Sequence, residues 1–242
     1  MSLLWPTDTD PAGIEAVPLS DRALPASTYA LLDRAATCWP DDEATVFLPD
    51  VTAWQKPVTS THAELRDRVH RVANVFTELG VGRRDAVAFL APNSGEMLAA
   101  LLAAQAVGIA QPINPALSPA AIAGLLRLGG ARLIVAAEPS IELAAELGKE
   151  LGVPVLALQP DDPDRLDALD AQSRADVPSL DELAAAQPDD RLLTADRAAP
   201  GDLASYRPAS RPWSSITSRR ATRTWFRTPS GSGRPGPATP AR

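Results

Sequence analysis

Few residues of this chain combine the types and spacing that chemistry requires. Two histidines and one cysteine occur among its 242 residues. His62 and His70 are eight residues apart on one predicted helix, without a cysteine or carboxylate cluster beside them. That pattern favours surface or partly buried helix positions over metal ligation. Cys38 lacks a basic partner nearby in sequence, so we expect a structural thiol rather than a nucleophile.

Three further stretches resemble ligand-binding loops. Residues 228–234, Thr-Pro-Ser-Gly-Ser-Gly-Arg, are rich enough in glycine to approach a phosphate. No strand is predicted before them and no helix after them, which favours a low-complexity linker. Pro92-Asn93 and Asn114-Pro115 follow predicted parallel strands, where ligands of open α/β sheets often bind. Turning the chain and capping helices explains both pairs, so we assign no catalytic, cofactor-binding or metal-binding residue.

The character of the chain changes near Tyr206. Residues 203–242 contain no Asp, Glu or Lys, but they contain eight Arg and six Pro. Residues 1–202 therefore contain 15 of the 23 basic residues and all 30 acidic ones, which gives them a net charge of −15. Residues 203–242 carry a net charge of +8. Ile216 is the only Val, Ile or Leu after residue 206. Such a segment cannot bury enough apolar surface to order itself, so we predict that residues 207–242 are disordered.

Composition also limits the class of protein. The acidic first part would repel nucleic acid and anionic lipid. The tail arginines, with Trp213 and Trp225, could contact nucleic acid, but no predicted fold presents them, which argues against that role. A single cysteine permits no internal disulfide, no apolar run approaches about 20 residues, and residues 1–11 lack the basic region of a secretory signal. We expect a cytoplasmic protein without a membrane span.

Hydrophobic periodicity and capping signals predict alternating strands and helices after an irregular lead-in at residues 1–26. Thr61 and Glu64 form a capping-box pattern, and Gly80 is suited to end the helix that follows. Pro119 is suited to a first helical position. Helices are predicted at residues 27–36 (with Leu31 and Leu32 facing inward), 61–79, 94–107, 118–128, 140–151 and 179–187. Strands are predicted at residues 44–48, 56–59, 86–91, 109–113, 132–137 and 153–158.

This order predicts an α/β fold with a doubly wound, mostly parallel sheet and helices on both faces. Residues 159–178 are predicted to be an acidic loop and residues 188–201 a linker, and residues 202–206 resemble the start of another strand. We therefore predict a lead-in at residues 1–26, an incomplete α/β domain at residues 27–206 and a tail at residues 207–242.

Several of these segments together resemble the N-terminal part of the acyl-adenylate-forming enzymes, the superfamily of AMP-forming acyl-CoA synthetases. The matching segments, in the family's order and spacing, are Leu-Gly-Val-Gly-Arg-Arg-Asp-Ala-Val-Ala at 79–88, Ala-Pro-Asn-Ser-Gly-Glu at 91–96, Ala-Val-Gly-Ile at 106–109, Pro-Ile-Asn-Pro at 112–115 and Ala-Arg-Leu-Ile-Val at 131–135. The resemblance implies an incomplete N-terminal domain of that fold. For the intact family it implies ATP, Mg²⁺ and coenzyme A, and conversion of a carboxylic acid to acyl-AMP and then acyl-CoA.

The resemblance ends after Tyr206. In the family, the corresponding strand leads into a Gly/Thr/Ser-rich loop followed by Lys, whose backbone N–H groups and ammonium group hold phosphate. Here residues 207–212 are Arg-Pro-Ala-Ser-Arg-Pro, without glycine and with two prolines that lack N–H groups, and no Lys follows Lys149. The family's ribose-binding acid and C-terminal lid have no counterpart. We therefore carry no family catalytic residue onto this chain.

Three interpretations of the whole chain stay open at this point. The first is the front part of an acyl-CoA synthetase, catalytically incompetent alone, whose tail is encoded by an out-of-frame or rearranged gene segment. The second is a non-catalytic module that pairs with a full-length synthetase or holds an acyl chain. The third is an Arg-rich nucleic-acid-binding protein. An incomplete domain would leave an apolar face exposed, which predicts self-association or chaperone binding.

Overall fold

The computed structural model describes residues 11–18, 21, 24–49, 54–159 and 177–206. Predictions for residues 160–176 and for the tail at residues 207–242 lie outside this part of the chain. Helix α1 spans Pro11–Ala16, so the prediction of an irregular lead-in is wrong at this point. Helix α2 spans Thr28–Cys38, and the Ser27 hydroxyl accepts a hydrogen bond from Ala30 N at 3.1 Å as its cap.

The two predicted strands that follow α2 form an antiparallel hairpin. Strand β1 spans Glu43–Phe47 and strand β2 spans Val58–Thr61, with Phe47 opposite Val58. The prediction of a hairpin is confirmed, although β2 begins two residues later than expected and runs directly into the next helix. Thr61 is both the last residue of β2 and the cap of that helix, because an extended backbone suits both positions.

Helix α3 spans His62–Glu78 and has the capping box expected from the sequence. The Thr61 hydroxyl accepts from Glu64 N at 3.3 Å, and the Glu64 carboxylate accepts from Thr61 N at 2.8 Å. Each side chain thereby satisfies a backbone donor that the helix start leaves without an intrahelical partner. After the helix, Gly80 has φ = +80°, a left-handed conformation that favours glycine.

Beyond α3 the chain alternates strand and helix as predicted. The four strands of the main sheet are all parallel, in the order β4-β3-β5-β6. The strands are β3 (Ala86–Leu90), β4 (Ile109–Pro112), β5 (Ala131–Ala136) and β6 (Val155–Ala157). The remaining helices are α4 (Gly95–Val107), α5 (Pro119–Gly129), α6 (Ile141–Leu151) and α7 (Leu180–Ala185).

Helices cover both faces of this sheet, and each face has its own hydrophobic core. Val87 and Phe89 of β3 lie in the core formed with α3 and α4, whereas Ala88 and Leu90 lie in the core formed with α5 and α6. Every residue of β3 is buried, as expected for a parallel strand packed on both faces. The predicted doubly wound α/β fold is confirmed. On α2, Leu32 is buried as predicted, but Leu31 is exposed, so that expectation is wrong.

The segment after α7 is not the free linker that its composition predicts. The Asn74 amide donates to the carbonyl oxygens of Pro188 at 3.1 Å and Arg191 at 3.0 Å, and its oxygen accepts from Leu193 N at 2.8 Å. Asn74 is buried in α3, so its three hydrogen bonds help to fix this segment against the helix. The prediction of a linker is wrong for residues 188–193.

The start of another strand at residues 202–206 is confirmed. Ala110 N donates to Ala204 O at 3.0 Å, and Tyr206 N donates to Ala110 O at 3.2 Å. The bridge between Ala110 and Ser205 is parallel, so this short segment extends the sheet beyond β4. Within the described ranges, no helix is long and apolar enough to cross a bilayer.

Candidate functional site

The topology of the sheet places a crevice between the loops that follow β3 and β5. From β3 the chain proceeds through α4 to β4 on one side, and from β5 it proceeds through α6 to β6 on the other. Loops diverging from two adjacent parallel strands leave a crevice at their carboxyl ends, where ligands of open α/β sheets bind. The candidate site is therefore formed by residues 91–94 and 137–140.

The first of these loops contains the predicted pair Pro92-Asn93. Both residues are exposed, and the neighbouring Ser94 caps α4 by accepting from Met97 N at 3.0 Å. The other predicted pair, Asn114-Pro115, follows β4, on the far side of β3 from the crevice. The Asn114 side-chain oxygen accepts from Ala116 N at 3.0 Å, which shapes a turn before α5. The structure thus brings only Pro92-Asn93 to the crevice.

The second loop supplies Glu138, which was not predicted from the sequence. Its Oε1 is buried and receives no hydrogen bond from the part of the chain that the structure describes. The loop is fixed to β3 because Ala137 N donates to Leu90 O at 3.2 Å. A carboxylate oxygen in this position can accept a hydrogen bond from a hydroxyl or amino group of a ligand. No local pattern distinguishes Glu138 from a surface glutamate, so its buried position could not be predicted from the sequence.

The described loops at this edge of the sheet carry no positively charged side chain. The described loops after β3, β4, β5 and β6 (residues 91–94, 113–118, 137–140 and 158–159) contain no Lys or Arg. Of the chain's two lysines, Lys56 lies in the hairpin turn, and Lys149 lies in the last turn of α6, at the opposite edge of the sheet. Binding of a nucleotide triphosphate requires cationic groups and converging N–H donors. The described residues, with Glu138 in the crevice, therefore do not fit ATP and its Mg²⁺.

The histidines and the cysteine lie apart from this crevice. His70 is fully buried, so the expectation of a surface or partly buried position is wrong for it, whereas His62 is half-buried at the start of α3. Cys38 is exposed at the end of α2, so it does not pack as a structural thiol. Among the described residues, no three His, Cys, Asp or Glu side chains are grouped to hold a metal ion.

A cavity of about 460 Å³ lies between the hairpin, α3, α4 and α7. It falls within the range of small-molecule sites, roughly 300–1,000 Å³. The apolar part of its wall consists of Phe47, Val58, Leu65, Val72, Ala99, Ala184 and Ala185. Arg68 and Asp181, which also line it, form an ion pair with 3.0 Å between their nearest atoms. No sequence pattern predicts this cavity, because its walls come from segments more than 100 residues apart.

Comparison with known proteins gives a consistent result. A family model described as AMP-binding enzyme matches residues 32–204. The chain is 32% identical over 126 residues to the marinolic acid–CoA ligase of a Pseudoalteromonas species, covering 52% of this chain and 19% of that protein. It is 31% identical over 147 residues to the 3-hydroxybenzoate–CoA ligase of an Aromatoleum species, covering 60% of this chain and 26% of that protein.

Solved structures of CoA ligases share the fold of this chain. The crystal structure of the anthranilate CoA ligase AuaEII, in complex with anthranoyl-AMP, superposes with a TM-score of 0.62 at 19% identity, covering 78% of this chain and 33% of that one. The chain thus spans about a fifth to a quarter of the length of the curated relatives described above. Residues 32–204, which the family model matches, include the hairpin, the sheet and the crevice.

Proposed function

Because the chain belongs to the AMP-binding enzyme family, we propose that it supplies the N-terminal part of an AMP-forming acyl-CoA ligase and does not adenylate a carboxylate by itself. One observation supports the proposal that the chain does not adenylate a carboxylate by itself. The strand at residues 202–206 lies parallel to β4 and points toward the edge where ligands bind, but Arg207-Pro208 follows it in place of a glycine-rich loop.

Two physical requirements of adenylation support the proposed inactivity. Charge that develops on the transferring phosphoryl group must be stabilised by fixed N–H donors and cations. The described loops at residues 91–94 and 137–140 offer no cationic side chain, and Glu138 adds a carboxylate that opposes a triphosphate. The substrate class we propose for the intact ligase is a carboxylic acid, since the relatives are named for marinolic and 3-hydroxybenzoic acids.

A pyrophosphate-release assay tests this proposal. The 242-residue chain is incubated with ATP, Mg²⁺, coenzyme A and a panel of fatty and aromatic acids, with a full-length long-chain-fatty-acid–CoA ligase as the positive control. We expect release at background level from the chain and acid-dependent release from the control. Acid-dependent release by the chain itself would refute the proposal. Translating the gene beyond the codon for Tyr206 in the two other frames tests the origin of the tail, which we propose is a frameshift or rearrangement.

The cavity beneath the hairpin favours a second candidate function, a non-catalytic module that holds an acyl chain. Its apolar wall and its volume suit a short aliphatic chain. Binding of a fluorescent fatty acid tests this candidate. The Val58→Trp substitution should fill the cavity and abolish binding, whereas Val46→Trp, on the outer face of the same hairpin, should leave binding unchanged. Equal binding by the two variants would exclude the cavity as the site.

The hairpin also supports the proposal that the chain self-associates or binds chaperones. Val46, Leu48 and Trp54 are 59%, 49% and 63% exposed, an apolar surface that an intact ligase would be expected to cover. Sedimentation velocity over a range of concentrations should show a rising average mass, and a compact monomer throughout would argue against it. We further propose a reducing, cytoplasmic location, because Cys38 is the chain's only cysteine.

A further inference from the structure

The last part of the described chain is held mainly by polar contacts. Leu192 is buried, but none of residues 193–206 is fully buried, and Leu193 and Leu203 are exposed. We call residues 193–206 the strap. The Tyr206 phenol packs beside Gly129, but the rest of the segment buries little apolar surface, which is the main source of local stability.

Arg83 is one of the side chains that hold the strap, as is Arg197 of the strap itself, whose guanidinium carbon lies 5.7 Å from the centre of the Tyr29 ring. The Arg83 side chain is only 15% exposed, and its guanidinium pairs with the Asp202 carboxylate and lies 3.8 Å from that of Asp196. Both carboxylates belong to the strap, whereas Arg83 belongs to the turn before β3. Between the two aspartates, Ala198 N donates to Ala106 O at 3.2 Å. One arginine thus joins both ends of a loop to the core.

The strap covers one hydrogen-bonding edge of β4. Ala110 N–H and C=O point toward the strap and bond to Ala204 O and Tyr206 N. Ile109 N and Ile113 N point the other way, to the carbonyl oxygens of Asp85 at 2.9 Å and Phe89 at 3.0 Å. The exchange of the Ala110 amide therefore reports opening of the strap, whereas exchange of the Ile109 and Ile113 amides, in and just after β4, reports opening of the core.

We propose that the strap opens independently of the rest of the domain, that Arg83 is the latch that keeps it closed, and that opening exposes the edge of β4. An uncovered strand edge can pair with another extended segment, so the latch would control when that edge is available. This device does not depend on the proposed ligase function, because it concerns only contacts within the chain.

Site-resolved hydrogen exchange, measured by NMR on the full 242-residue chain, tests this proposal. In the wild type, the Ala110 amide should exchange about tenfold or more faster than the Ile109 and Ile113 amides, since only the strap must open. The Arg83→Gln substitution should accelerate Ala110 by about another tenfold, because it removes a charge-assisted contact. The matched control is Arg127→Gln, which removes the exposed ion pair between Arg127 and Glu150 on α5 and α6.

The outcomes separate the proposal from simple destabilisation. Faster exchange at Ala110 alone in Arg83→Gln, with Arg127→Gln unchanged, supports the latch. Equal rates at Ala110 and Ile113 in the wild type would show that the strap opens only with the core, and would overturn the proposal. Equal acceleration of all three amides in Arg83→Gln, or none, would overturn the role of Arg83.

Discussion

The Tyr29 hydroxyl lies 3.0 Å from Nε2 of His70, and these two side chains connect α2 to α3. On the other side of the ring, Nδ1 lies 2.5 Å from the carbonyl oxygen of Asp189. A carbonyl oxygen can only accept, so Nδ1 carries the proton in the neutral ring and Nε2 accepts from the Tyr29 hydroxyl. The histidine thus acts as a buried connector between three segments rather than as a metal ligand or a general base.

Replacing this connector should destabilise the domain. His70→Leu leaves the Tyr29 hydroxyl and the Asp189 carbonyl without their partner and should lower the free energy of unfolding by about 1–3 kcal/mol. Tyr29→Phe should cost about 1 kcal/mol. In a double-mutant cycle by urea denaturation, we expect a coupling of about 0.5–1.5 kcal/mol. His62→Leu, on the same helix, is the control. Additive effects of His70→Leu and Tyr29→Phe would contradict the direct hydrogen bond.

Two glycines of α5 should respond in opposite ways to the same substitution. A Cβ at residue 129 would overlap the Tyr206 hydroxyl and the Gln111 carboxamide, whereas a Cβ at Gly124 meets open space. Gly129→Ala should therefore destabilise the chain by about 1–3 kcal/mol through overpacking. Gly124→Ala should stabilise it by about 0.5–1 kcal/mol, because alanine favours helix interiors. Urea midpoints that move in the same direction would contradict this packing.

The phenol of Tyr206 should titrate at unusually high pH. Burial raises its pKa to about 12, because the charged phenolate is poorly solvated where it lies. The raised folded-state pKa stabilises the fold fully below about pH 10, the usual tyrosine value, and this contribution is lost as the pH rises towards 12. Tyr29→Phe leaves Tyr206 as the only tyrosine, so ultraviolet titration of that variant reports it alone. An ordinary midpoint near 10 in the folded state would be inconsistent with burial.

The capping box of α3 should make the free energy of unfolding depend on pH in the acidic range. The hydrogen bond from the Thr61 backbone to the Glu64 carboxylate lowers the pKa of that carboxyl group. The Glu64 carboxylate therefore stabilises the fold above the ordinary glutamate pKa, and this stabilisation is lost as the pH falls through the lowered pKa. Glu64→Ala should be less stable than wild type at neutral pH, and the difference should shrink in acid. Thermal unfolding of both proteins over a range of pH measures this difference, and a difference that stays constant into acid would contradict the role of the capping box.

Local signals predicted the elements of the fold well. Thr61 with Glu64, Ser94, Ser118 and Pro119 all act within one turn of the helix they begin, so their partners are visible in the sequence. The strands of the main sheet were also predicted, because strands buried on both faces are continuously apolar. Of the residues that form the crevice, the sequence predicts only Pro92-Asn93.

What the sequence did not reveal depends on contacts between distant segments. His70 and Asp189 are 119 positions apart, and Asn74 and Pro188 are 114 apart, so neither the buried histidine nor the docked segment had a local signature. Leu31 and Leu32 are equivalent in type, and only the position of α3 and α4 decides which is buried. The cavity beneath the hairpin and the crevice glutamate were missed for the same reason.

The bridge between Ala110 and Ser205 has a consequence for synthesis on the ribosome. Those two residues are 95 positions apart, and translation proceeds at about 5–20 residues per second. The nascent polypeptide must therefore keep a partly built sheet in solution for about 5–20 s before its final cover emerges. During that interval the outer edge of β4 at Ala110 has no strand to pair with, because the segment that covers it has not yet been made.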